Sequence, residues 1–461
     1  MKYGKDIVKR EKGKKPTASD FIKDIKVLEI IQKRLSIREE EKKLYGEVFT
    51  PIELICQGFD YLPKDVWTNP NLKWMDPANG IGNFTVVAYY KLYDSLKSKI
   101  PDASERSKHI IENMLYMVEL NPVNVRVCIK IFKMIDDKAK PNIIRHDFLK
   151  FQGFKGIDKF DIIMGNPPFS KKVGPSKNQP IWGLFVKDSI IKYLEKDGYL
   201  IFIHPSGWRN ISGRFRYVYD LIQERDLMNL TMRDYRDGIK AFGVATNYDY
   251  YCLKNTITKK NITKINDIDK NNIEIDLNDY EFIPGGMFKE FEKLKGQNKV
   301  EIIYATNTYE TRPDKSKNPI KKIEDKIFKF PIINTITKKA GAKLIYSSVK
   351  DKKIFVPKVV WSNGVGTYPI VDDTGKYGLT QFSYGIKDEP KNLKYIQKAL
   401  NNPQFIKLMN YVKFTDNKYN YKIIGSFKKD FYKQYLSDEP KTPSTTYSPN
   451  DPVKSSKTSN D

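Results

Sequence analysis

Between residues 72 and 255, short apolar runs alternate with amphipathic stretches, and this alternation limits the possible folds more than any other feature of the chain. LKWMD (72–76), MLYMVEL (114–120), NIIRHDF (142–148), FDIIM (160–164), GYLIFIH (198–204), MNLTMRDY (228–235) and YDYYCLK (248–254) have the length and composition of strands. PVNVRVCIKIFKMI (122–135) and IWGLFVKDSIIKYL (181–194) repeat apolar residues at helical spacing. Strands alternating with helices predict an α/β fold, a mostly parallel, doubly wound sheet covered on both faces. The last two strands have little helix between them and read as an antiparallel closure.

The fourth run ends in an unusual way. FDIIM is followed by GNPPFS (165–170), in which two prolines fix φ and remove two backbone donors. Such a segment cannot continue a central strand. It is a stiff loop at the C-terminal edge of the sheet, which is where ligands sit in open α/β folds. It presents one amide, Asn166, and one ring, Phe169.

The first run leads into KWMDPANGIGNF (73–84): a strand, an acidic residue, a glycine-rich turn and a helix. Gly80 and Gly82 let a ligand approach the backbone, and the helix N-terminus offers N–H groups. The spacing differs from that of dinucleotide-binding loops. Asp76 stands before the glycines, and a carboxylate there repels a pyrophosphate but suits a cation. A methionine-derived sulfonium carries both an ammonium and a positive sulfur. Glu119 ends the second run and suits a ribose diol. Asp147 ends the third and can accept from an adenine amino group, with Phe148 packing on the ring. Each acid alone reads as well as a helix cap or a solvated loop residue. Three at the ends of successive strands, all preceding NPPF, form a pattern.

Composition narrows the partner. Lys+Arg 81 against Asp+Glu 56 gives a net charge of +25, which suits a polyanion such as nucleic acid. Lys far outnumbers Arg, so biased coding supplies part of the excess. The three cysteines, Cys56, Cys128 and Cys252, are widely spaced and form no CxxC pair; with only three His, neither a disulfide framework nor a metal site is expected. No apolar run reaches the ~18 residues that cross a bilayer. The basic N-terminus lacks the apolar stretch of a secretory signal, so the expected location is the cytoplasm.

In order and wording these motifs resemble the S-adenosylmethionine-dependent N6-adenine DNA methyltransferases. GEVFTPIEL (46–54) is similar to their N-terminal cofactor motif, with Thr50 and Pro51 at its centre; DPANGIGNF is similar to their DPA-x-G-x-G-x-F loop; VEL, HDFL and NPPF fall where the ribose, adenine and catalytic motifs should. The order is that of the gamma class, found among type II and type IIG restriction–modification methyltransferases. The resemblance implies a Rossmann-like domain with a seven-stranded sheet, S-adenosyl-L-methionine as cofactor and double-stranded DNA as partner. It places Thr50, Pro51, Asp76, Pro77, Ala78, Asn79, Gly80, Gly82, Glu119, Leu120, Asp147 and Phe148 at the cofactor, and Asn166, Pro167, Pro168 and Phe169 at the reaction. Phe169, with Phe242 as a second face, would stack the target base; a buried core Phe is the equal alternative for Phe242. Departures from the family pattern are Phe169 for the commoner Tyr, Asn79 for a small residue or Cys, and Asn83 for Gly.

The chain thus divides into a basic arm and helix (1–45), a methyltransferase domain (46–255), a target-recognition domain (256–436) entered through a Lys- and Asn-rich bridge (255–278), and a Pro/Ser/Thr-rich tail (437–461) expected to be disordered. Three readings compete with a DNA adenine methyltransferase. NPP(Y/F) also occurs in protein-glutamine and RNA guanine methyltransferases, but these lack the VFTP segment and a large C-terminal region. A degenerate, DNA-binding specificity protein would not need intact acids and NPPF. A fused nuclease would need an acidic pair with (D/E)xK, which is not found in 1–45, leaving room for a separately encoded restriction endonuclease.

Overall fold

The computed structural model describes residue 27 and residues 50–174, 177–305, 307–312, 315–337, 341–362, 368–414 and 420–436. The arm and helix expected over 1–45 (Val27 apart), most of GEVF and the tail 437–461 lie outside the described residues.

Every predicted strand forms. β1 (Trp74–Asp76), β2 (Leu115–Glu119), β3 (Asn142–Arg145), β4 (Phe160–Gly165) and β7 (Leu194–Pro205) run parallel. Between β4 and β7 lies a small hairpin, β5 (Ser170–Gly174) and β6 (Lys177–Pro180). β8 (Arg225–Arg233) and β9 (Tyr248–Ile257) follow, with β9 antiparallel to both β7 and β8. Along the strands, alternate residues enter opposite cores. Trp74, Met117, Ile162, Met164, Ile201 and Ile203 join one; Met75, Tyr116, Val118, Ile163, Leu200 and Phe202 join the other. Helices α1 (Ile52–Phe59), α2 (Asn83–Ser95) and α4 (Pro122–Ile135) cover the first face, with α3 (Ala103–His109) leading into β2. α5 (Trp182–Asp188) and α6 (Arg216–Gln223) cover the second, and α7 (Tyr235–Phe242) joins β8 to β9. Side-chain periodicity thus sets both layers. The helix predicted over 181–194 is α5 continued by a wider π-type turn, Ser189–Tyr193, which runs directly into β7.

The sheet is larger than expected. Its order is β11-β10-β8-β9-β7-β4-β1-β2-β3, nine strands rather than seven. The Lys- and Asn-rich stretch read as a bridge holds the end of β9 together with β10 (Ile262–Asn266) and β11 (Asn272–Asp276). β10 buries only Thr263 and Ile265, so its sequence looks polar although it is paired on both sides. Asn261, fully buried, fixes the crossing: its Oδ1 accepts from Leu227 N at 3.0 Å and its Nδ2 donates to Gln223 O at 3.0 Å. A boundary at 255/256 therefore cuts through the sheet.

Beyond it are two four-stranded sheets. One joins Glu301–Tyr304, Ser383–Lys387, Lys358–Ser362 and Ile370–Asp372; the other joins Ile320–Lys321, Gly341–Ser347, Phe330–Thr337 and Gly378–Leu379. Helices Pro390–Asn401 and Pro403–Asn410 pack on the first. A buried network meets this region where β7 ends. Arg209 Nε donates to Asp249 Oδ2 at 2.9 Å, Trp208 Nε1 donates to the same oxygen at 2.8 Å, and the Arg209 guanidinium reaches Ile283 O and lies over the Phe414 ring.

Candidate functional site

The chain leaves β1, β2, β3 and β4 at one edge of the sheet. β2 and β4 flank β1 on opposite sides, so the strand order reverses there and a crevice opens. A cavity of about 320 Å³ fills it, of a size suited to a small ligand. Its lining includes Thr50, Asp76, Pro77, Ala78, Asn79, Gly80, Glu119, Leu120, Asp147, Phe148, Asn166, Pro167 and Pro168. Most of the sequence-derived cofactor and catalytic residues thus line one space, from five segments.

Asp76 ends β1 only 1% exposed, with Oδ1 accepting from Ala78 N at 2.9 Å. Burial lifts its carboxyl from an ordinary value of 3.8 to about 8, and the neighbouring Glu119 charge adds to the rise. A Cβ on Gly165 would come within 2.8 Å of Asp76 Oδ1, so only glycine lets β4 close against this carboxylate. Glu119 knits the glycine loop to β2: Oε2 accepts from Gly80 N at 2.7 Å and Oε1 from Asn121 N at 2.6 Å. Asp147 caps a short turn, accepting from Leu149 N at 3.1 Å. Phe148 stacks on Phe185, with centroids 5.1 Å apart, making an apolar wall.

The other predicted residues divide. Asn79 lines the cavity, but its amide is spent on structure, accepting from Thr85 Oγ1 at 2.9 Å and donating to Cys128 Sγ at 3.3 Å. Gly82, at φ 103, turns the loop into α2 and lies behind the lining, and Pro51 starts α1 outside it. Phe169 and Phe242 do not line it either. Phe242 is 5% exposed and meets Phe169 edge-on, with centroids 6.0 Å apart and planes at 85°. In this arrangement the two rings meet edge to face, with Phe242 also packed edge-on against Tyr248.

Sequence reasoning did not reach His146, Leu149, Lys171, Ile181 and Phe185, which also line the cavity. Ile181 and Phe185 carried a signal in their i, i+4 spacing at the start of the helix predicted over 181–194. Lys171 sits on the β5–β6 hairpin, which no residue pattern announced. Asn83, seen only as a departure from the family pattern, is 4% exposed and donates from Nδ2 to Thr50 O at 2.9 Å. Its Oδ1 is buried without a hydrogen-bond partner among the described residues. An acceptor left bare at the wall, a buried carboxyl and an aromatic wall together fit a ligand with cationic, hydroxyl and aromatic parts. No group of three or more His, Cys, Asp or Glu suited to a metal occurs among the described residues. No described helix is long and apolar enough to cross a membrane.

Residues 29–186 match the N-6 DNA Methylase family, a span that carries every motif named above up to NPPF. That span is similar to an N-6 DNA methylase domain. Type II methyltransferase M.VspI of Vibrio sp. (strain 343) is 26% identical to it over 208 residues, covering 42% of this chain and 44% of that enzyme. An uncharacterized adenine-specific methylase of Mycoplasma pneumoniae is 24% identical over 311 residues, covering 49% and 74%. The match therefore spans less than half the length of the Vibrio enzyme. Among solved structures, the type IIL restriction–modification enzyme MmeI in complex with DNA aligns over 87% of this chain and 66% of its own, at 11% identity and a TM-score of 0.46. The family match ends within α5, and the sheet runs on to β11.

Proposed function

We propose that the chain transfers a methyl group from S-adenosylmethionine to N6 of an adenine extruded from double-stranded DNA, as a modification enzyme of the restriction–modification kind. The observation that carries this is the shared cavity: the NPPF amide and both prolines line the same space as Asp76, Glu119, Asp147 and Phe148. S-adenosylmethionine, when bound, supplies an electrophilic methyl on a positive sulfur. Asp76 faces its cationic end, Glu119 the ribose hydroxyls, and Asp147 with Phe148 the adenine. An adenine N6 is a poor nucleophile because its lone pair is delocalised into the ring. Asn166 Oδ1 and the Pro167 carbonyl each accept one N6 hydrogen, drawing the nitrogen towards tetrahedral geometry and freeing the lone pair. The prolines hold both acceptors still, so no reorganisation is needed as charge develops. Phe169 offers the extruded base a face, and extrusion is required because N6 is out of reach within the stack. Residues 279–436 read the DNA sequence, with Lys and Arg there on phosphates.

The test is incubation of the full chain, and of a chain ending at Gly286, with cofactor and long unmethylated duplex DNA, followed by digestion and mass analysis of the nucleosides. The expected product is N6-methyladenine at a fixed sequence with the full chain, and loss of site selectivity with the short one. Cofactor binding without any methylated base would favour a specificity protein instead.

The buried carboxyl gives a signed pH dependence. With Asp76 titrating at about 8, its neutral form dominates below that pH, whereas a cationic ligand binds the ionised form. Cofactor affinity should rise from pH 6 to 7.5, by up to about tenfold per unit, while the ligand's own α-amino group stays mostly charged. Asp76→Asn should bind weakly and without that slope. Calorimetric titration at both pH values decides it; a flat profile for the unaltered chain contradicts the role given to Asp76.

A further inference from the structure

We propose that Thr50 is a positioning residue for the Asn166 amide, acting through its hydroxyl and in addition to any contact with the cofactor; the inference rests on the adenine-methylating reading above. Asn166 Nδ2 donates to Thr50 Oγ1 at 3.1 Å across 116 residues of sequence. The donor end of the catalytic amide is therefore turned towards Thr50 and its acceptor end away from it. Thr50 is itself held. Its carbonyl accepts from Asn83 Nδ2 at 2.9 Å, it is 4% exposed, and Pro51 follows it, which restricts its backbone. Asn83 opens α2, directly after the glycine loop. A continuous path thus runs from the cofactor loop, through Asn83 and Thr50, to the reacting amide.

The chemistry of the hydroxyl gives this path a direction. A threonine hydroxyl has one proton to donate and lone pairs to accept with. While its proton is uncommitted, it can serve an amide in either orientation, donating to Oδ1 or accepting from Nδ2. Once an acceptor in the cavity takes that proton, Oγ1 can only accept, and the amide is locked with Nδ2 inward and Oδ1 outward, the orientation the N6 hydrogens need. Thr50 lines the same cavity as Asp76 and Glu119, so a ligand there can take the proton. Filling the cofactor cavity then orders the catalytic acceptor.

The test compares Thr50→Val, which keeps the shape and removes the hydroxyl, with Thr50→Ser, which keeps the hydroxyl. Turnover is measured on long unmethylated duplex DNA at saturating cofactor, cofactor Kd by calorimetry, and folding by the unfolding midpoint. Thr50→Val should lower saturated kcat by about 10- to 100-fold, as loss of partners that orient a reacting group does elsewhere, and Thr50→Ser should stay within about threefold of the unaltered chain. If Thr50→Val unfolds, Thr50→Ala against Thr50→Ser gives the same contrast. Weaker cofactor binding with unchanged saturated kcat would overturn the proposal, because Thr50 would then be a cofactor contact alone. Equal losses in the Val and Ser variants would also overturn it, by pointing to packing. The two failures separate: a fully active Asn166→Ala sinks the underlying reading, whereas an inactive Asn166→Ala beside a fully active Thr50→Val sinks only the positioning role.

Discussion

Asn166→Ala should abolish nearly all methyl transfer while leaving cofactor affinity within about tenfold. The reason is where the amide acts. Its proposed partner is the substrate nitrogen as it pyramidalises, an interaction that strengthens only towards the transition state and so registers in kcat. Loss of one preorganised polar group of this kind costs about 10²- to 10³-fold in other enzymes, and here the same substitution also releases the tether to Thr50. The cofactor is expected to be held mostly elsewhere, by Asp76, Glu119 and the Phe148–Phe185 wall. Single-turnover measurement with saturating cofactor, beside a binding titration, separates the two effects. Turnover close to that of the unaltered chain would remove Asn166 from the mechanism.

The largest stability effect is expected at Arg209. Its side chain is 1% exposed, and its ion partner Asp249 is wholly buried. Arg209→Met leaves Asp249 with only the Trp208 indole as donor, and stranding one member of a buried pair costs about 3–5 kcal/mol. Burial already places the Asp249 carboxyl at about 6, above its ordinary 3.8, even with the guanidinium pulling it down. Its folded form therefore holds a proton more tightly than its unfolded form, and its contribution to stability falls as pH rises through that window. Without Arg209 the carboxyl should climb further. The variant's deficit should then be smaller at pH 5 than at pH 8, because protonation at pH 5 relieves the stranded charge. Urea unfolding at the two pH values checks both size and sign. Arg209→Met with Asp249→Leu should recover much of the loss, since an apolar pair of similar volume can replace a buried ion pair.

Much of the sheet was legible because its strands are buried on both faces and therefore apolar throughout. FDIIM and GYLIFIH announce themselves, and PVNVRVCIKIFKMI coincides with α4, which Asn121 caps and Pro122 starts. The site was legible for a related reason: a sheet edge displays the residues that end its strands, so Asp76, Glu119 and the proline loop could be placed by position alone. β10 and β11 were not legible. ITKIN, one strand in from the rim, and NIEID, at the rim, are half-exposed, and their charged alternation looks like a linker until pairing partners are known. Phe242 shows the limit for single aromatics, because sequence cannot tell a ring waiting for a base from one already packed. The hydrogen bond from Asn166 to Thr50 was invisible for another reason. It joins segments 116 residues apart, and nothing local in either encodes it.

The added pair of strands also alters how one molecule meets another. A sheet ending at β8 would present RDLMNLTMR, nine residues of unpaired backbone with Leu and Met interleaved, as a template for the same strand of a second molecule. β10 pairs with Asn229–Thr231 in the middle of that row, and Asn261 takes up Leu227 N beside it. What remains at the rim is β11, five residues long, with Glu274 and Asp276 along it. The opposite rim is β3, four residues long and ending in Arg145. Both margins are short and charged, a combination that discourages edge-to-edge stacking between copies.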